Sequence, residues 1–147
     1  MMMMMMMSIL QSGWNLKHMM IWVKNNHVLG RMDYHYQHEP IFYGWKEGKS
    51  HEWFGGHSQT SIWKVDKPLK SDLHPTMKPV ELICKPIFNS SKSGHIILDP
   101  FLGSGSTLIA AQKTGRICYG MEIDPRYVDV IIKRYEQYTG NKGRSSE

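Results

Sequence analysis

A chain of 147 residues that is 41% hydrophobic and 21% charged has room for one core and for no second complete domain. Lys and Arg exceed Asp and Glu by 18 − 13 = 5, and a pI near 9.2 favours polyanionic partners without requiring them. Cys84 and Cys118 stand too far apart for a Cys-x-x-Cys clip and no second pair completes a zinc site, so a reducing, intracellular compartment is expected; no run of eighteen apolar residues suits a membrane.

Met1 to Met7 has neither the basic flank nor the small-residue cleavage site of a signal peptide and is set aside from fold reasoning. All five tryptophans precede residue 64, in a half that reads as aromatic and polar. Met19–Val23 and Glu39–Gly44 are short apolar runs between polar flanks and predict strands; Ser61–Val65 predicts a third, weaker one. Lys46–Ser50 reads as a turn and Phe54–Ser58 as a flexible loop.

After Asp66-Lys67-Pro68 the pattern becomes an alternation of strand and helix. Val80–Asn89 predicts a helix entered through Pro79 and kinked or shortened by Pro86. His95–Asp99 reads as a buried strand, Ser106–Lys113 as a helix closed by Gly115, and Ile117–Glu122 as another strand. Asp124 caps a last helix, Pro125–Tyr138, ended by Gly140, and the tail from Asn141 is expected to fray. That order argues for an α/β fold with a parallel sheet.

The strongest local pattern is Leu98-Asp99-Pro100-Phe101-Leu102-Gly103-Ser104-Gly105-Ser106-Thr107, between a strand and a helix. Gly103 and Gly105 let the backbone turn sharply and approach a ligand, and Ser104 is small enough to keep the approach open. No Gly-Lys-Ser/Thr follows and the third glycine of a dinucleotide fingerprint is missing, so pyrophosphate is disfavoured. Glu122, at the end of the next strand, stands where an acidic residue accepts hydrogen bonds from ribose hydroxyls, which points to an adenosine-containing cofactor. The alternative is a plain strand end followed by a tight turn.

His74-Pro75-Thr76-Met77-Lys78-Pro79, bracketed by two prolines, is a stiff segment able to hold Thr76 and Lys78 beside a ligand; on the residues alone the entry loop and cap of the helix at Val80 is the preferred reading. The two motifs in this order resemble the β class of DNA amino-methyltransferases, whose HPTxKP and DPFxGSGTT elements they match, with Ser106 where the family usually has Thr. Gly115–Glu122, Ile21–Lys24 and His38–Gly44 extend the resemblance to about residues 12–140. It implies an incomplete Rossmann-like methyltransferase fold, a mixed sheet with flanking helices. It also implies S-adenosylmethionine as cofactor, DNA as partner, and a cytoplasmic protein of a prokaryote or phage. His74, Thr76 and Lys78 would line the methionine pocket, the stretch Asp99, Pro100, Phe101, Gly103, Ser104, Gly105 and Thr107 the sulfonium and sugar region, and Glu122 the ribose. Residues 8–72 would then be C-terminal strands of the sheet with loops on the DNA side, and 73–140 the cofactor half.

The resemblance also implies a gap. The family carries its catalytic Asp/Asn/Ser-Pro-Pro-Tyr/Phe/Trp motif on a strand upstream of the segment matching Ile21-Trp22, and residues 1–20 do not supply it. A base's exocyclic amine is a poor nucleophile and needs acceptors for its hydrogens while the flipped ring stacks on an aromatic one. No catalytic residue is therefore assigned. Asp124-Pro125-Arg126-Tyr127 is similar at three of four positions but opens a helix, where Asp and Pro are expected as cap and first residue. The strand between the glycine-loop strand and the Trp22 strand would be missing too, as would a neighbour of the Glu122 strand. The exposed edges would make the chain marginal alone, dimeric, or dependent on a companion polypeptide. Tyr34–Glu39 reads as an aromatic loop rather than a metal cluster.

Overall fold

The computed structural model describes residues 11–27, 29–31, 33–67 and 77–144. The chain divides into two compact units, Met1–Lys67 and Pro68–Glu147, each with its own sheet.

In the first unit β1 (Trp14–Val23) is central, with β2 (His38–Lys46) antiparallel on one side and β3 (Ile62–Lys64) parallel on the other, giving a mixed sheet of order β2-β1-β3. All three expected strands form. β1 starts at Trp14 rather than Met19 because its polar first half pairs with the end of β2, Trp14 opposite Lys46 and Asn15 opposite Trp45. The register shifts at Lys17, a bulge, and Gly44 lies opposite Leu16 there. A Cβ on residue 44 would stand 2.3 Å from the Asn15 carbonyl oxygen, so glycine is what lets the two backbones approach.

Trp22, Trp63 and Val65 are buried in this unit, and the Trp22 indole N–H donates to the Val65 carbonyl at 2.7 Å. Lys24 is buried too. Its ammonium pairs with Glu39 at 3.3 Å and lies 5.9 Å from the Trp22 ring, so the buried charge has a counter-ion and an aromatic face. Beyond β2 the chain folds back. His51 stacks on Trp45 with ring centroids 3.8 Å apart, and Trp53 meets Tyr43 edge-on at 6.1 Å. The loop expected at 54–58 forms without regular structure, tethered by the Trp53 indole donating to Gly56 and the Gln59 amide donating to Gly55.

In the second unit α1 (Val80–Ser90) and α2 (Ser106–Thr114) pack together beside a parallel pair, β4 (Ile96–Asp99) and β5 (Ile117–Gly120). Cys84, Ile87 and Ala110 are buried at the centre, with Val80, Ile83 and Ile97 packed around them. Ala110 and Ala111 expose nothing, and such small residues let a helix approach its neighbour closely. Pro86, expected to kink or shorten α1, lies inside it, and the helix runs on to Ser90. Arg116 ties the end of α1 to the start of β5, donating to the Ser91 carbonyl at 2.6 Å and the Ser91 hydroxyl at 3.1 Å. Both cysteines are free.

The last helix, α3 (Pro125–Thr139), begins as expected: the Asp124 side chain accepts from the Arg126 amide at 3.0 Å, and Gly140 closes the helix in the left-handed region. The Asp124-Pro125 pair is thus a helix cap. β5 stops at Gly120, so Glu122 stands just past the strand rather than at its end. Side chains of β4 and β5 alternate: Ile97 and Cys118 are half-buried, whereas Ile96, Leu98, Ile117 and Tyr119 are all more than half exposed. One face of the parallel pair is therefore bare among the described residues. Parallel strands normally have both faces covered.

Candidate functional site

The loop between β4 and α2 is built by its own sequence. β4 ends at Asp99, whose Oδ1 accepts from the Phe101 amide at 2.9 Å and starts the turn. Gly103 (φ 57°) and Gly105 (φ 79°) take left-handed conformations that side chains resist, and the Gly105 amide closes the loop on the Leu102 carbonyl at 2.9 Å. α2 then starts at Ser106. A Cβ on Gly105 would stand 3.1 Å from Ile131 of α3, and one on Gly120 would stand 2.6 Å from the Leu102 side chain. Both glycines thus permit close packing, of the loop on α3 and of β5's end on the loop.

Glu122 meets this loop from the neighbouring connection. Its Oε2 accepts from the Gly103 amide at 2.7 Å and its Oε1 from the Asp124 amide at 3.0 Å. The Asp124 amide, then the Gly103 amide, hold its carboxyl below the usual glutamate value, so it is an anion at neutral pH. Each oxygen of a carboxylate accepts more than one bond, so acceptor capacity remains for hydroxyl groups.

Of the residues singled out in the sequence, Asp99, Pro100, Phe101, Gly103, Ser104, Gly105, Thr107 and Glu122 come together at this turn. Phe101 is 87% exposed and Ser104 is buried. Lys78 reaches the same place through its backbone: its carbonyl accepts from the Ser106 hydroxyl at 2.8 Å. His74 and Thr76 lie outside the described residues. A groove of about 300 Å³ runs between α1, β4 and the start of α2, lined by Ile83, Ile87, Leu98, Asp99 and Thr107 among others. Glu122 does not line it. Among the described residues no group of His, Cys, Asp and Glu is arranged to hold a metal, and no helix is long and apolar enough to cross a membrane.

Sequence reasoning missed the support behind the loop. Ile131 packs against Gly105, and Arg134 donates to the Ser104 carbonyl and, at 3.0 Å, to its hydroxyl. The available signal was their spacing of three on one face of α3, which reads only as amphipathic helix. Ile123, 98% exposed beside Glu122, was not singled out in the sequence. The set fits a nucleoside: a carboxylate for hydroxyls, a glycine backbone that admits close approach, and exposed apolar side chains at Phe101 and Ile123 for a planar ring.

Known proteins match this chain over most of its length. It is 32% identical over 99 residues to the type II methyltransferase M.Cfr9I of Citrobacter freundii, covering 67% of this chain and 33% of that protein. It is 33% identical over 118 residues to M2.DpnII of Streptococcus pneumoniae, covering 79% and 41%. The chain thus spans a third to two fifths of the length of these curated relatives. Among solved structures, the M1.HpyAVI–SAM complex superposes with a TM-score of 0.72 at 27% identity, over 86% of this chain and 65% of that one. The cytosine-N4-specific PvuII DNA methyltransferase gives 0.75 at 14% identity, over 89% and 55%, a likeness of fold alone. The fold is that of part of a Rossmann-like methyltransferase. The DNA methylase family model matches residues 2–134, and on that match the chain belongs to the N6/N4 family of DNA amino-methyltransferases.

Proposed function

We propose that the chain binds S-adenosyl-L-methionine at the turn between β4 and α2, as the cofactor-holding part of a DNA methyltransferase acting on adenine N6, with cytosine N4 as the alternative target. The observation that carries this is the Glu122 carboxylate, ionised and fixed beside the Gly103 amide. The M1.HpyAVI–SAM complex, a structural neighbour, supports the choice of ligand. Glu122 would accept from the ribose hydroxyls, the backbone and side chains from Asp99 to Thr107 would pass the sugar and sulfonium, and His74, Thr76 and Lys78 would line the methionine end. The cofactor, when bound, supplies an electrophilic methyl group for direct in-line transfer to an exocyclic amine. DNA is the partner, and a cytoplasmic location goes with this reading.

A second reading is favoured by one feature: the 147 residues contain no Pro-Pro pair, hence no Asp/Asn/Ser-Pro-Pro-Tyr/Phe/Trp motif. Taken alone, this polypeptide would bind cofactor or DNA without turnover, as a remnant or accessory subunit. A second copy or a companion chain would supply the missing strands. Incubating the purified chain with methyl-labelled S-adenosylmethionine and duplex DNA tests both readings. Cofactor binding that Glu122→Ala and Gly105→Trp abolish supports the site, and binding unchanged in both overturns it. Robust transfer by the lone chain overturns the second reading.

A further inference from the structure

Arg134 projects from α3 towards the glycine loop, half-buried. It donates to the Ser104 carbonyl, to the Ser104 hydroxyl at 3.0 Å, and reaches the Ser106 hydroxyl at 3.5 Å. Among the described residues it has no carboxylate partner; burial lowers its pKa, and its Nη1 donates to the loop. Desolvating a guanidinium without a counter-ion is unfavourable, so such an arrangement persists only where the oxygens it satisfies matter to the fold or the site.

The loop needs an anchor. Two left-handed glycines within three residues give it more conformations to lose than a loop of the same length without glycine. Glu122 fixes the donor side, the Gly103 amide. The acceptor side, the Ser104 carbonyl one residue on, is fixed by Arg134. Ser106 then ties the same corner to the Lys78 carbonyl.

We infer that Arg134 is a positioning residue of the proposed cofactor site: acting through Ser104, its guanidinium holds the Gly103–Gly105 loop in the one conformation that receives the ligand. The ligand half of this inference rests on the function proposed above; the loop half does not. If only a fraction of molecules holds the loop correctly, the apparent affinity falls by that fraction. Loss of a hydrogen bond from a charged donor corresponds to a factor of about 10 to 100.

The test is amide hydrogen exchange at Gly103 and Gly105 together with titration of S-adenosylmethionine, on the full chain. Arg134→Met is expected to lower protection at both amides by about 10- to 100-fold and to raise the cofactor dissociation constant by the inverse of the fraction of molecules that still hold the loop, at most the same factor. Arg134→Lys, which keeps a cation and one donor, should recover part of both. Lys133→Met, which removes an exposed charge from the same helix, should change neither. Wild-type values for Arg134→Met overturn the inference. So does loss of protection spread evenly through α1 and β4 in both the Met and Lys variants, because that is global destabilisation. If the wild-type chain takes up no S-adenosylmethionine, the proposed function fails, and exchange at the two glycines alone decides for or against the anchor.

Discussion

Gly105→Ala tests whether the loop's shape is dictated from within or from α3. Gly105 sits at φ 79°, where an L side chain costs about 1–2 kcal/mol. The new Cβ would lie 3.1 Å from Ile131 Cγ2 and 3.2 Å from Cγ1, and Ile131 is only 7% exposed, so it has no room to swing aside. Overpacking of this kind costs about 1–3 kcal/mol. Together the substitution should destabilise the unit by about 2–5 kcal/mol, a drop of upwards of about 8 °C in Tm for a domain of this size. Ile131→Ala removes both Cγ atoms and leaves only Cβ, at 3.4 Å, an ordinary contact. In that background Gly105→Ala should retain the conformational cost alone, about 1–2 kcal/mol. Urea unfolding of the four members of the cycle measures the difference. Equal costs in both backgrounds would refute the packing argument, and a cost under about 0.5 kcal/mol in the wild type would refute both parts.

Glu122 predicts a pH dependence. Its folded pKa lies below the ordinary value of 4.5, so what it contributes to loop and ligand is complete above that value and is lost as pH falls through the lower, folded pKa. Cofactor affinity should hold from pH 7 to 5 and decline below 4.5, whereas Glu122→Gln should bind weakly throughout with no such decline. Trp22→Phe leaves the Val65 carbonyl without the indole donor in a buried setting, and should cost about 1–3 kcal/mol by chemical denaturation. A change under about 0.5 kcal/mol would mean that another donor replaces it. Leu98→Lys with Tyr119→Lys places charge on the bare face of β4 and β5, and should reduce self-association and dye binding with little loss of stability. Marked destabilisation of the chain would show that this face is covered in solution.

The sequence disclosed elements whose cause is local and concealed those whose cause is a neighbour. The order of strands and helices followed from apolar period and from punctuation by Gly103, Gly105, Gly115, Asp124 and Gly140, residues that act within a turn of themselves. Trp14–His18 carried no such mark, because what makes it a strand is the far end of β2. Pro86 read as kinking or shortening the helix, yet α1 continues through it to Ser90 while Cys84 and Ile87, on either side, are buried in the core with Ala110. In the site, Glu122 and the glycines were legible because a carboxylate one strand after a glycine turn is a pattern along the chain. Arg134 was not, since its role exists only through an oxygen thirty positions away.

The bare face and the missing motif lead to one further expectation. Ile96, Leu98, Ile117 and Tyr119 are more than half exposed on a parallel pair, and covering a large apolar side chain is worth about 1.5–3 kcal/mol. A polypeptide that covers this face therefore has a strong drive to associate. The chemistry proposed above uses an Asp/Asn/Ser-Pro-Pro-Tyr/Phe/Trp motif that the 147 residues do not contain, and a chain supplying it must place it beside the cofactor. If one companion does both, the two effects share a binding constant. Titrating such a chain, bearing an Asp-Pro-Pro-Tyr motif, should suppress dye binding to the face and switch on methyl transfer at the same midpoint. Transfer with the dye signal unchanged, or two well-separated midpoints, would show that the cover and the catalytic strand are different things.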